Sequence, residues 1–221
     1  MYEQTTPGTY APTRGAAIST NRLLGQVMVL VAVAIGFLAV GSLVGKDLAF
    51  TTARILSFVG FGMLIVSSFG GMRFRVGAFA IGWLYATAFV IGLGLGPFLS
   101  YVAETDQSAI TYAAGGTALT VLGMGAAGFA MSKDLAPWMR PLSFVVLGAV
   151  IVSLVALIFG GAGSLSPIIS LVIFAASAAL IMVDFNYLRK HGTEDDTVLL
   201  ATGIFVSIVN IFISLLNLFS R

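Results

Sequence analysis

Seven long apolar runs, separated by narrow bands of charge, limit this chain more than any other feature. Of its 221 residues, 58% are hydrophobic and only 9% are charged. A soluble domain of that size exposes a large surface, and these few polar side chains could not cover it. Most of the runs approach the ~20 residues that cross a bilayer as a helix rising ~1.5 Å per residue. A transmembrane barrel would need alternating segments of ~10 residues, and none is present. The expected fold is an all-α membrane protein, a bundle of seven transmembrane helices.

The runs are expected at 23–44, 55–70, 76–102, 110–131, from Pro141 to the Gly160-Gly161 loop, from Ser166-Pro167 to Tyr187, and from Thr197 to Phe219. Pro141 and Pro167 read as first-turn prolines, with Ser166 as a cap. Glu104 and Asp106 read as a short solvated loop, and Thr193 with Asp196 three residues later as a capping box. Residues 1–22 are polar, with Pro7 and Pro12, and lack the early apolar stretch of a cleavable signal peptide. The expected division is a disordered cytoplasmic tail over 1–22 and a seven-helix transmembrane domain over 23–221, with the first run as an uncleaved signal anchor.

Lysine and arginine set the expected orientation. Arg14, Arg22, Arg73, Arg75, Lys133, Arg140, Arg189 and Lys190 fall on one side, against Lys46, Arg54 and Arg221 on the other. Eight against three places the N-terminus inside and the C-terminus outside. The net charge of +2 is too small to imply nucleic-acid binding. With no cysteine and the single His191, thiolate and histidine-cluster metal sites are excluded. No Ser-His-Asp triad, phosphate loop or paired-carboxylate hydrolase pattern is present, so nothing supports an enzyme, and no cofactor is implied.

Asp184 is the outstanding residue, an acid among Ile181, Met182, Val183 and Phe185 in the last turn of the sixth run. Its neighbours three and four residues on, Tyr187 and Leu188, bring no cation. A partner must come from another segment, and Arg73 and Arg75 are the candidates. Two readings fit: a pH- or cation-responsive carboxylate, or an interfacial acid reaching headgroup water. The last run carries a polar stripe, Gly203, Ser207, Asn210, Ser214 and Asn217, spaced to share one helical face. That face should point into the bundle, either as helix-to-helix hydrogen bonding or as the lining of a hydrated cavity. In the third run, Pro97 should free the carbonyl of Leu93 and kink the helix, while the nearby glycines let helices approach.

The third and fourth runs carry a recognisable pattern, Gly92-x-x-Leu95-Gly96-Pro97-x-Leu99 followed by Ala113-x-x-x-Thr117-Ala118-Leu119. With Lys133-Asp134-Leu135, Asp184, and the Ala201-Thr202 to Leu216 segment, it resembles the Bax inhibitor family over roughly 23–221. The pattern is closest to that family's bacterial YccA-like branch. The resemblance implies seven helices in a bacterial inner membrane with a cytoplasmic N-terminus. In some family members a pair of aspartates with a nearby arginine gates a calcium leak. Asp184 matches the first aspartate, and Ser207 stands at the second. Two coupled carboxylates titrate together; a carboxylate with a serine does not. Serine there is similar to the YccA-like branch, whose members bind and restrain the membrane AAA protease FtsH, with the N-tail as a natural handle. The resemblance thus implies a protease modulator in membrane-protein quality control or stress response. The alternative is a pH-sensitive calcium or cation leak gated at Asp184, with calcium as the transported or sensed ion.

Overall fold

The computed structural model describes residues 19–159 and 162–220. Among these lie seven helices long and apolar enough to cross a membrane. They are α1 (Thr20–Gly45), α2 (Phe50–Phe69), α3 (Gly77–Thr105), α4 (Gln107–Ala130), α5 (Ala136–Phe159), α6 (Ala162–Lys190) and α7 (Thr197–Phe219). Short 3₁₀ turns at Gly71–Phe74 and Glu194–Asp196 lead into α3 and α7. The shortest helix, α2, has 20 residues, and the longest, α3 and α6, have 29. The expected disorder of the tail over 1–18, the Gly160-Gly161 loop, Arg14 and Arg221 lie outside the described residues.

Several expected boundaries move. Helix α1 starts at Thr20, so residues 20–22 belong to the bundle and not to the tail. Helix α5 starts at Ala136, which leaves Pro141 inside it and puts Pro137 in its first turn. The Asp134 carboxylate accepts the Ala136 N–H at 3.0 Å and holds that earlier start. Helix α6 likewise begins at Ala162, so Pro167 sits within it, close enough to the N-terminus to disturb few backbone bonds. Its far end continues past Tyr187 to Lys190. The acidic loop is not a loop: Glu104 lies in the last turn of α3, and Asp106 alone links α3 to α4. Asp106 caps α4 by accepting the Ala109 N–H at 3.2 Å. The capping box before α7 is formed as expected, with the Asp196 carboxylate accepting from the Thr193 N–H and hydroxyl at 3.1 and 2.7 Å.

Hydrogen bonds from the Ser108 hydroxyl and the Ala109 N–H hold the Asp106 carboxyl below its ordinary range. A depressed value in the fold means that the cap's contribution is whole above the ordinary aspartate value of about 3.9. It is lost as pH falls from there through the folded value. Thermal scans in detergent should therefore separate wild type from Asp106→Asn at neutral pH and bring them together in strong acid. A gap that persists unchanged in acid would contradict this.

Helix α7 is the most buried of the seven, with half of its most apolar stretch covered, against only 6% over Ala136–Ser153 of α5. Around α7 pack α1, α4 and α6, and α3 joins chiefly through α1; α2 rests on α3, and α5 on α6. Phe205, Ile204, Ile211 and Leu216 of α7 meet Ile181 and Leu188 of α6 and Leu23 and Val27 of α1 in one apolar core. The polar stripe of α7 faces inward, with Ser207 and Ser214 both 3% exposed.

Close approach of backbones positions α3. A Cβ at Gly92 would strike the Leu38 carbonyl of α1, and one at Gly96 would lie 2.5 Å from the carbonyl carbon of Gly45. From the other side, Gly41 abuts the Phe89 carbonyl and Gly45 the Leu93 carbonyl. Two glycine pairs spaced four apart thus interlock, which is how membrane helices pack without a hydrophobic driving force between them. Gly94, on the opposite face, lets Ser57 of α2 approach. Helix α3 runs unbroken through Pro97. The Leu93 carbonyl that the proline deprives of its helical donor lies against Gly45.

Candidate functional site

Asp184 sits six residues before Lys190, where α6 ends, and so lies deeper than the last turn. It is only 6% exposed. Its carboxylate faces Gly203 of α7, where a Cβ would lie 3.4 Å from Oδ2. The absence of a side chain at Gly203 makes the room for this acid. Ser207 follows one turn further along the same stripe. Among the described residues no hydrogen bond or ion pair reaches Asp184, and the one ion pair present joins His191 to Asp134. Nor do three His, Asp or Glu side chains gather anywhere among those residues. Asp184 therefore offers a cation a single carboxylate.

The two candidate arginines are placed elsewhere. The Arg73 guanidinium lies over the Phe79 ring, 4.6 Å from its centroid, beside a cluster in which the Phe74 ring packs edge-on against Phe79 and Trp83. Trp83 Nε1 donates to the Ser67 hydroxyl at 2.8 Å and ties that cluster to α2. Arg75 lines a cavity with Arg22 and Glu194 at the starts of α1, α3 and α7. Asn210 borders a different, smaller cavity of about 150 Å³ between α2, α3, α5 and α7, with Ser57, Leu95 and Val150. Asp184 and Asn210 do not line a common cavity. In α4, Thr117 is 7% exposed, and its hydroxyl bonds back to the Ala113 carbonyl at 2.7 Å. Gly92 and Gly96 form the α1–α3 contact described above, and Pro97 is buried next to them in α3.

The structure adds a site that sequence reasoning missed. Asn186, fully buried two residues after Asp184, reaches across to the α4–α5 connection. Its amide Nδ2 lies 3.1 Å from each of the Gly128, Met131 and Lys133 carbonyls. Its Oδ1 accepts the Leu135 N–H at 2.9 Å. The amide has two hydrogens, so they are shared among three acceptors. Gly128 permits this by letting α6 approach until a Cβ would strike the Met182 carbonyl. Arg189 donates to the Met131 carbonyl at 2.6 Å, and Lys190 donates to the Ser132 carbonyl. His191 Nε2 meets Asp134 Oδ2 at 2.8 Å. The Ala136 N–H, and then His191, hold the Asp134 carboxyl below its ordinary range. The end of α6 thus clamps the whole 131–135 connection. A lone asparagine whose partners are backbone atoms more than fifty residues away leaves no spacing signal in sequence.

Chemically, the arrangement pairs a clamp at the α6 terminus with a buried acid nearly two turns before its end that has no partner among the described residues. Residues 20–221 match the sequence model of the family described as "Inhibitor of apoptosis-promoting Bax1". The chain is 33% identical over 153 residues to an uncharacterized protein of Pseudomonas aeruginosa, covering 67% of each. It is 27% identical over 210 residues to the "Modulator of FtsH protease YccA" of Escherichia coli, covering 93% of this chain and 92% of that one. The "Inner membrane protein YccA" of a second Escherichia coli strain matches to the same extent.

Proposed function

The chain belongs to the Bax inhibitor family, and from that premise we propose that it is an inner-membrane modulator of an FtsH-type AAA protease. The observation that carries this reading is the relative named as a modulator of FtsH protease, which aligns over 93% of the chain. Two features of the molecule support it. The second acid that a paired-carboxylate sensor needs is replaced by Ser207, buried in α7. The basic bands also gather: Arg22 and Arg75 line one cavity, while Arg189 and Lys190 reach the α4–α5 connection. This fits an N-terminus and even-numbered connections on the cytoplasmic side. The role is one of binding and restraint, not of catalysis.

Co-purification tests the reading. Tagged chain extracted from the inner membrane in mild detergent should recover the membrane AAA protease, and a control seven-helix protein should not. Equal recovery, or none, would count against it.

One observation favours a second reading. Asp184 is buried, with no hydrogen bond or ion pair among the described residues, and acids at such depth commonly mark ion paths. If it gates a cation leak, proteoliposomes should show calcium or proton flux that changes with pH and falls to background in Asp184→Asn. Equal flux in wild type and variant would remove that role.

A further inference from the structure

A cavity of about 650 Å³ opens where α1, α3 and α7 begin. Its polar lining includes Arg22, Gln26, Arg75 and Glu194, and its apolar wall includes Leu30, Ile81 and Val198. Neither arginine has a carboxylate within ion-pair distance, because the one such pair among the described residues is His191 with Asp134. Glu194 shares the cavity without pairing to either. Two cations thus face one acid, and the lining carries one positive charge in excess. The first turns of α1 and α3 lack a side-chain cap, and their N–H groups and positive dipole ends add to the same sign.

The occupant must satisfy both halves of the lining. A free inorganic anion would use the cationic rim and leave the wall of Leu30, Ile81 and Val198 bare. A phospholipid uses both, with its phosphate on the rim and its glycerol and upper acyl carbons against the wall. Val29, at the cavity's edge, is 62% exposed, so the site opens sideways from a membrane-spanning helix. Basic pockets between membrane helices hold lipid headgroups by this chemistry. A zwitterionic headgroup would leave the excess charge unbalanced. A headgroup of single negative charge cancels it, and one bearing hydroxyls can also donate to Glu194. We propose that this cavity is a binding site for an anionic phospholipid of the phosphatidylglycerol type, with Arg22 and Arg75 holding the phosphate.

The test uses the purified full chain in neutral detergent, supplied with equal amounts of phosphatidylglycerol and phosphatidylcholine and read by native mass spectrometry. The expected result is preferential retention of phosphatidylglycerol. Arg22→Gln and Arg75→Gln should each lower that retention about fivefold. Arg54→Gln, which removes equal charge from a residue outside the cavity, should leave it unchanged. Glu194→Gln, an exposed position whose loss does not threaten folding, should raise it. Equal retention of the two lipids, no effect of either arginine variant, or no rise in Glu194→Gln would overturn the proposal. Displacement of the lipid by millimolar inorganic phosphate would also overturn it, making a free anion the occupant.

Discussion

Gly92→Ala should lower the melting temperature of the purified protein in detergent by roughly 6–12 °C, the equivalent of about 3 kcal/mol. One methyl group has so large an effect because its Cβ would meet the Leu38 carbonyl, with the Ser42 nitrogen at 3.0 Å. Both are backbone atoms of α1, which no side-chain rotation can clear. The helices must part, and the interlocked contact of Gly92 and Gly96 with Gly41 and Gly45 opens along its length. Gly36→Ala, within α1 itself, supplies the control. A Cβ there meets nothing within 4 Å, and alanine is the better helix former by up to about 1 kcal/mol. That variant should melt at or above the wild-type temperature. Equal losses in both would mean that α1 and α3 do not cross at these glycines.

Asn186→Leu should have a comparable effect by a different route. Leucine keeps the branched outline of asparagine, with bulkier methyl groups, but removes every hydrogen bond between α6 and the 131–135 connection that Asn186 makes. It leaves the Leu135 N–H buried without its acceptor, and Leu135 is only 7% exposed. At about 1–3 kcal/mol for a buried group left unsatisfied, the donor and the abandoned carbonyls together should cost about 3 kcal/mol or more. Hydrogen exchange gives the specific readout. The Leu135 amide should exchange at least about tenfold faster in the variant, while amides in the middle of α7 keep their protection. Faster exchange throughout the bundle would point to general loosening, and unchanged exchange at Leu135 would contradict the clamp.

How much of this was readable beforehand depended on whether the signal was local. Seven apolar runs and their charge bands depend only on the solvent each residue prefers, so the helix count, the membrane class and the Thr193–Asp196 box could be read directly. Helix ends shifted where a residue outside the apolar run did the capping. Asp134 draws the start of α5 ahead of Pro141, and Asp106 turns an apparent acidic loop into a one-residue link. The glycines of the third run were visible as close-approach residues, yet their partners Gly41 and Gly45 lie in another helix and carry no local mark of the pairing. The lack of a local cation beside Asp184 was also legible, but its burial was not, because an acid near the end of an apolar run reads equally well as interfacial. Nor was the placement of Arg73 over the Phe79 ring and of Arg75 in a separate cavity. Asn186 was hidden for the same reason: what it binds is backbone, and backbone has no sequence.

In the proposed role, this bundle acts on a membrane protease by binding it. The most direct measurement co-reconstitutes the membrane AAA protease and a labelled membrane substrate in liposomes, with or without an excess of this chain. Degradation should slow at least about twofold when the chain is present in the same vesicles, and Asp184→Asn should slow it equally. An unchanged degradation rate with the chain present would contradict the account.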